Sequence, residues 1–216
     1  MIELHHYPST ASTIPHILLE ELGVPFELRL VDRLRESHLS PEFLRLNPNG
    51  EFPVLIDGDL VLYETAAICL HLCDTHPEAA LAPPVGTPER AQFYKWLIWC
   101  SSTLQASLLA WFYPWRWVDV DNPMGAVQVR QNAQVRVEKL LVQLDSHLAR
   151  TRGPWFLGEV YSVLDPYVLT LCRWTRDFPE RPARTFTHIR PYLQRVLERP
   201  AVQRVFRRED TPPPYI

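Results

Sequence analysis

Two short stretches of this chain carry residue types whose spacing could do chemistry. In the first, Asn47-Pro-Asn-Gly-Glu-Phe-Pro53-Val-Leu55, a proline stands immediately before an apolar strand. Proline removes a ladder donor there, so its presence asks for a reason. A cis Phe52–Pro53 bond is one, since it would turn the preceding N–H and C=O outward into a cleft. An extended tripeptide could then pair with those two groups as an added strand. An ordinary turn before an edge strand is the plainer alternative. In the second stretch, Tyr63-Glu64-Thr65 opens a helix. A helix N-terminus attracts a carboxylate through its unpaired amides and its dipole, and the Thr65 hydroxyl adds a donor. With Glu64 accepting from an ammonium group, the pair could hold the head of an α-amino acid. The plainer alternative is a capping Thr65 and a solvated Glu64.

The elements around these stretches fall into two kinds. Ile2 to His6 reads as a strand, Thr13 to Leu22 as a helix stopped by Gly23, and Pro25 to Val31 as a second strand. A short helix is expected between Pro41 and Leu46. Val54-Leu55-Ile56 and Leu60-Val61-Leu62 flank an Asp-Gly turn, the signature of a hairpin, and a helix from Glu64 to Asp74 closes the unit. That order predicts an α/β thioredoxin-like domain over residues 1–77 with a mixed sheet. A proline-rich linker follows over 78–87. From 88 to 216 strand-like alternation disappears and an all-α helical domain is expected. Its first helix is read from Thr87-Pro88 to about Trp111. A second runs from about Pro123 to Ala149, with Val127, Val135, Leu140, Leu141, Leu144 and Leu148 as its apolar stripe. Ser162-Val-Leu-Asp165 opens a third, and residues 187 to 208 supply one or two more.

Composition excludes several partners. The 216 residues are 46% hydrophobic and 22% charged, as in an ordinary globular protein. A net charge of -3 and a pI near 6.2 leave no basic footprint for nucleic acid. No apolar run approaches the roughly 20 residues that span a bilayer, and no signal-peptide pattern is present, so a cytoplasmic protein without membrane contact is expected. Cys69, Cys73, Cys100 and Cys172 form no closely spaced pairs, which suits a reducing compartment. His71 falls off the Cys69–Cys73 helix face, so packed thiols are expected there and no metal.

The segment Asn47 to Leu70, NPNGEFPVLIDGDLVLYETAAICL, closely resembles the pattern of glutathione transferases. PSTASTIPHILLEELGVPFE resembles the first turn and helix of that family. Ser162-Val-Leu-Asp165, followed by Pro-Tyr and preceded by Trp155-Phe-Leu-Gly158, resembles its helical capping box, whose physical role is reciprocal satisfaction of a helix's first amides. The resemblance implies a glutathione co-substrate. Phe52, ahead of the cis-Pro53, would pair through its backbone with the cysteinyl part, while Glu64 and Thr65 would hold the γ-glutamyl end. His38 would meet the glycyl carboxylate, as in theta-like members; a solvated loop residue is the plainer alternative. Glu51 departs from the Lys or Gln of many relatives and should turn outward.

In this family a hydroxyl or thiol in the turn after the first strand steadies the glutathione thiolate, which is the nucleophile. The candidates here are Tyr7, Ser9, Thr10 and Ser12. Alignment to serine-type members selects Ser9, and Tyr7 is the runner-up. Ala11 falls where beta-like members carry Cys, which argues against thiol–disulfide exchange. The plain alternative is that these hydroxyls cap the first helix. A small hydrophobic electrophile would be met by an apolar pocket between the domains, with Ala11 and, from the densest aromatic cluster, Tyr113, Arg116 and Trp117. Core or interface is the commoner use of such a cluster. The resemblance further implies a homodimer. Conjugation of glutathione is the leading reading. A maleylacetoacetate-type isomerase, whose signature cysteine is missing here, and a non-catalytic binding or regulatory protein are the alternatives.

Overall fold

The computed structural model describes residues 1–216. Contacts divide it into two compact units, Met1–Pro84 with Leu197–Pro212, and Val85–Val196 with Pro213–Ile216.

The first unit holds β1 (Ile2–His6), α1 (Thr13–Leu22), β2 (Phe26–Leu30), α2 (Pro41–Leu46), β3 (Val54–Asp57), β4 (Leu60–Tyr63) and α3 (Thr65–Thr75). The sheet order is β2-β1-β3-β4. β1 runs parallel to β2 and antiparallel to β3, and β3 pairs antiparallel with β4. This mixed sheet is the thioredoxin-like arrangement read from the element order. Gly23 ends α1 with φ 67°, a left-handed conformation that glycine adopts without a Cβ penalty. Val54 and Leu55 are both fully buried, so β3 is covered on both faces. On one face Phe52, Leu46 and Tyr63 pack against Val31, Phe43 and Val54.

The last helix of the chain, α9 (Pro200–Arg208), belongs to this first unit, whereas the sequence placed everything from 88 to 216 in one helical domain. The apolar face of α9, Ala201, Val202, Val205 and Phe206, is buried, and ion pairs to α1 set its register. Arg199 grips Glu21 of α1 with two bonds of 2.6 and 2.7 Å, and Arg204 reaches Glu20 at 2.6 Å. Bidentate Arg–carboxylate pairs fix geometry as well as contributing energy.

The second unit contains α4 (Pro88–Ile98), a π-helical segment Trp99–Gln105, α5 (Ala106–Phe112), α6 (Pro123–Arg150), α7 (Leu164–Arg173) and α8 (Ile189–Leu197). The helix expected from 88 to Trp111 therefore runs on to Phe112, with its hydrogen bonding changed from α to π over Trp99–Gln105. Ser101 and Ser102 both donate to the Ile98 carbonyl, at 3.2 and 2.7 Å. Hydroxyls that back-bond to a carbonyl one turn earlier compete with the regular ladder. The buried stripe of α6 is Ala133, Val137, Leu141 and Leu144. Val127 and Val135, read as part of that stripe, are exposed instead. Positions two apart, such as 135 and 137, lie about 200° apart around a helix, so they cannot share its buried face. Every residue of α7 is buried, which makes it the centre of the unit. No helix is long and apolar enough to cross a membrane.

Candidate functional site

The strand register brings the sequence-predicted residues of the first unit to one end of its sheet. His5 of β1 is opposite Val54 of β3, and Val54 is opposite Tyr63 of β4. The turn after β1, the loop before β3 and the link from β4 to α3 therefore leave the sheet side by side. These carry Tyr7–Ser12, Phe52–Pro53 and Glu64–Thr65. The Tyr7 and Phe52 rings are 5.8 Å apart, and the His38 ring meets Phe52 edge-on at 6.1 Å.

The Phe52–Pro53 peptide bond is cis. The N–H and C=O of Phe52 enter none of the ladder or loop hydrogen bonds of the chain. The loop ahead is tied by Asn47, whose amide donates to the Glu51 carbonyl at 2.7 Å and whose oxygen accepts from Asn49 N–H at 3.1 Å. Gly50, at φ 62°, completes the turn; a Cβ there would lie 3.0 Å from the Leu39 side chain. Glu51 is exposed. His38 sits in a 3-10 turn, Ser37–Leu39, with its Nδ1 buried and unpartnered.

Glu64 is exposed, makes no ion pair within the chain, and has φ 72°. Thr65 follows as the buried first residue of α3. A non-glycine residue at positive φ costs about 1–3 kcal/mol and persists where its surroundings over-determine it, commonly at ligand sites. Ser9, at φ 61°, is the second such residue at this end of the sheet.

The four hydroxyl candidates separate by their partners. Thr10 Oγ1 donates to the Tyr7 carbonyl at 2.6 Å. Ser12 Oγ accepts from the Tyr7 N–H at 3.2 Å and lies 2.8 Å from the Tyr7 carbonyl and 2.9 Å from Thr10 Oγ1. Both hydroxyls are used in closing the turn. Neither caps α1, whose N-terminus has no side-chain cap. Ser9 is half-buried and its hydroxyl takes no partner within the chain. Its backbone N–H donates to Glu209 at 3.0 Å. Ala11 is buried behind the turn.

Sequence reasoning missed Glu209. Its Oε2 accepts from Ser9 N–H and, at 2.9 Å, from Thr13 Oγ1, while Oε1 lies 2.8 Å from His16 Nδ1. Nothing in Arg-Arg-Glu-Asp marks a buried carboxylate, and the Arg-rich surroundings suggest a solvated face.

In the second unit the aromatic cluster has two sides. Trp111 stacks on Phe178 at 4.5 Å, while Trp115 and Trp117 are exposed. Tyr113 is half-buried, and the exposed Arg116 lies 4.6 Å from its ring centroid. The four cysteines are buried and form no disulfide. His71 Nε2 bonds Asp57 at 3.0 Å.

The glutathione S-transferase N-terminal domain family matches residues 8–75. Across 97% of this chain, the uncharacterised GST-like protein YncG of Escherichia coli (strain K12) is 30% identical, and 99% of that protein is covered. The chain belongs to the glutathione transferase family. A crystal structure of a glutathione transferase from Methylococcus capsulatus is 32% identical with a TM-score of 0.82, covering 97% of this chain and 99% of that one. A glutathione transferase homologue from Sulfitobacter, solved with bound glutathione, is 25% identical with a TM-score of 0.86, covering 96% and 98%. The α/β thioredoxin-like unit and the helical unit are both within these matches.

Proposed function

We propose that the chain binds glutathione at the end of the first unit's sheet and conjugates its thiolate to a small hydrophobic electrophile. One observation carries the reading: the register His5–Val54–Tyr63 sets an unpartnered Ser9 hydroxyl, the unpaired backbone of Phe52 and the Glu64–Thr65 helix start side by side. The extended cysteinyl part pairs with Phe52 as an added strand. The γ-glutamyl carboxylate meets the Thr65 hydroxyl and the α3 amides, the ammonium meets Glu64, and His38 takes the glycyl carboxylate.

Ser9 then faces the thiol. With an ordinary pKa near 8.5, only about 3% of a thiol is thiolate at pH 7. A hydroxyl bond to the sulfur that lowers the pKa by about one to two units corresponds to roughly 1.4–2.7 kcal/mol. The released proton goes to solvent. The thiolate forms the carbon–sulfur bond as the leaving group departs or a strained ring opens. A small hydrophobic electrophile and a second copy of the chain are the expected partners.

The reading is tested by titrating the ultraviolet absorbance of enzyme-bound glutathione against pH, beside turnover on aryl halides, epoxides, peroxides and maleylacetoacetate-like substrates. A depressed thiol pKa that Ser9→Ala raises, with conjugation of at least one electrophile, is expected. An undisplaced thiol pKa and no turnover would leave a binding protein only; turnover confined to isomerisation would replace the transferase by an isomerase.

A further inference from the structure

The Ser9 turn is held from a distant part of the chain. Glu209 closes α9, 200 residues beyond Ser9, and its side chain is fully out of solvent. A buried carboxylate is costly unless its oxygens are bonded, and here three groups from the turn and from α1 converge on it: Ser9 N–H, Thr13 Oγ1 and His16 Nδ1. His6 of β1 stands behind, its ring 5.9 Å from that of His16, and burial pushes it down to about 4, so it is neutral at neutral pH. Arg208 is the adjoining cation.

The three bonds do unequal things. Those to Thr13 and His16 fasten α9 to α1, as do Arg199–Glu21 and Arg204–Glu20. The bond to Ser9 N–H fastens nothing regular. It reaches a residue at positive φ, in a turn whose other hydroxyls are consumed internally. A conformation of that kind survives only where neighbours dictate it. Rotating the Ser9 peptide toward an ordinary φ would break this bond and re-aim the hydroxyl.

We propose that Glu209 is a positioning residue for thiolate formation: its carboxylate fixes the Ser9 backbone so that the hydroxyl is displayed toward the glutathione sulfur. The inference rests on the Ser9 reading above. It makes the end of α9 part of the reactive centre of the first unit, although it touches neither substrate.

The test uses the full-length protein and reads the pKa of bound glutathione in Glu209→Gln, Glu209→Leu, Thr13→Val and Ser9→Ala. Gln can still accept from Ser9 N–H and Thr13, so it should keep the wild-type value. Leu fills the space without an acceptor and should raise the thiol pKa by about one unit, lowering kcat roughly tenfold. KM for glutathione should stay within about threefold, because Phe52, Glu64 and Thr65 are untouched. Thr13→Val removes a bond that does not reach Ser9 and should leave the thiol unmoved. In Ser9→Ala/Glu209→Leu the rise should not exceed that of Ser9→Ala alone, as expected of residues acting through one group. A Leu variant with lower thermal stability but a wild-type thiol pKa would overturn the inference in favour of a purely structural role. Should Leu not fold, Glu209→Asp, which withdraws the carboxylate by one methylene, takes its place with the same two outcomes. If Ser9→Ala itself leaves the thiol unmoved, the Ser9 assignment fails and takes this inference with it; a rise in Ser9→Ala without one in the Glu209 variant sinks the inference alone.

Discussion

Tyr192 donates its hydroxyl to Asp165 at 2.9 Å, with both side chains buried in the helical unit. The same carboxylate accepts from Phe156 N–H at 2.9 Å and Ser162 N–H at 2.8 Å, with the Ser162 hydroxyl 3.4 Å away. Asp165 therefore joins the loop before α7, the start of α7 and α8 through a single group. Replacing it by Asn turns one acceptor into a donor facing donors. A loss of about 2–4 kcal/mol in chemical denaturation is expected, with no direct effect on glutathione affinity.

Asp165 also gives stability a pH dependence of definite sign. Burial pushes its carboxyl up to about 6, against the opposing pull of its hydrogen bonds. The folded state then holds this proton more tightly than the unfolded chain, whose Asp titrates near 3.8. This group favours the fold below about pH 4, and the contribution is lost as pH rises through 6. The total is on the order of 3 kcal/mol. Denaturation midpoints between pH 4 and 7 should show that slope in the wild type and a flatter one in Asp165→Asn.

Gly153 offers a separate steric test. Its φ is 113°, and a Cβ there would stand 2.5 Å from the Gly158 backbone, across the turn in which Trp155 and Gly158 exchange bonds of 2.9 and 3.0 Å. Neither strain nor clash can be relieved by a side-chain rotation. Gly153→Ala should therefore cost about 2 kcal/mol or more by thermal or urea unfolding. Gly58→Ala, at φ 60° with nothing nearby, should cost less.

Tyr7 is the control for the hydroxyl assignment. Its ring packs 5.8 Å from Phe52, so it is held at the site whether or not its hydroxyl acts. Tyr7→Phe keeps that packing and removes only the hydroxyl. It should change the thiol pKa by less than about 0.3 units, against a rise of about one unit or more in Ser9→Ala. The reverse pattern would transfer the role to Tyr7.

Much of the first unit was legible because its signals are local. Alternation gave β1, Asp57-Gly58 gave the hairpin, and the Phe52-Pro53 to Glu64-Thr65 spacing gave the candidate site. What stayed hidden depends on distant partners. Alignment to serine-type members selects Ser9, but the physical reason that sets it apart from Thr10 and Ser12 comes only with the bonds of the latter two to Tyr7. Glu209 looks like one more charge in a basic helix until α9 is laid beside α1. The π segment after Ile98 was equally silent, because two adjacent serines in a helical pattern are common and only their shared carbonyl marks the change. Within the α6 stripe Leu141 and Leu144 are buried as expected, whereas Val127 and Val135 are exposed because hydrophobic type was read there without keeping the helical period.

The most direct test of the account is calorimetric titration of the protein with glutathione, beside Thr65→Ala and Glu64→Ala. Saturable binding of one glutathione per chain is expected, weakened about 10- to 100-fold by Thr65→Ala and less by Glu64→Ala, whose carboxylate is exposed and is proposed to meet only the ammonium. Absence of binding by the wild type, or affinity unchanged in both variants, would contradict it.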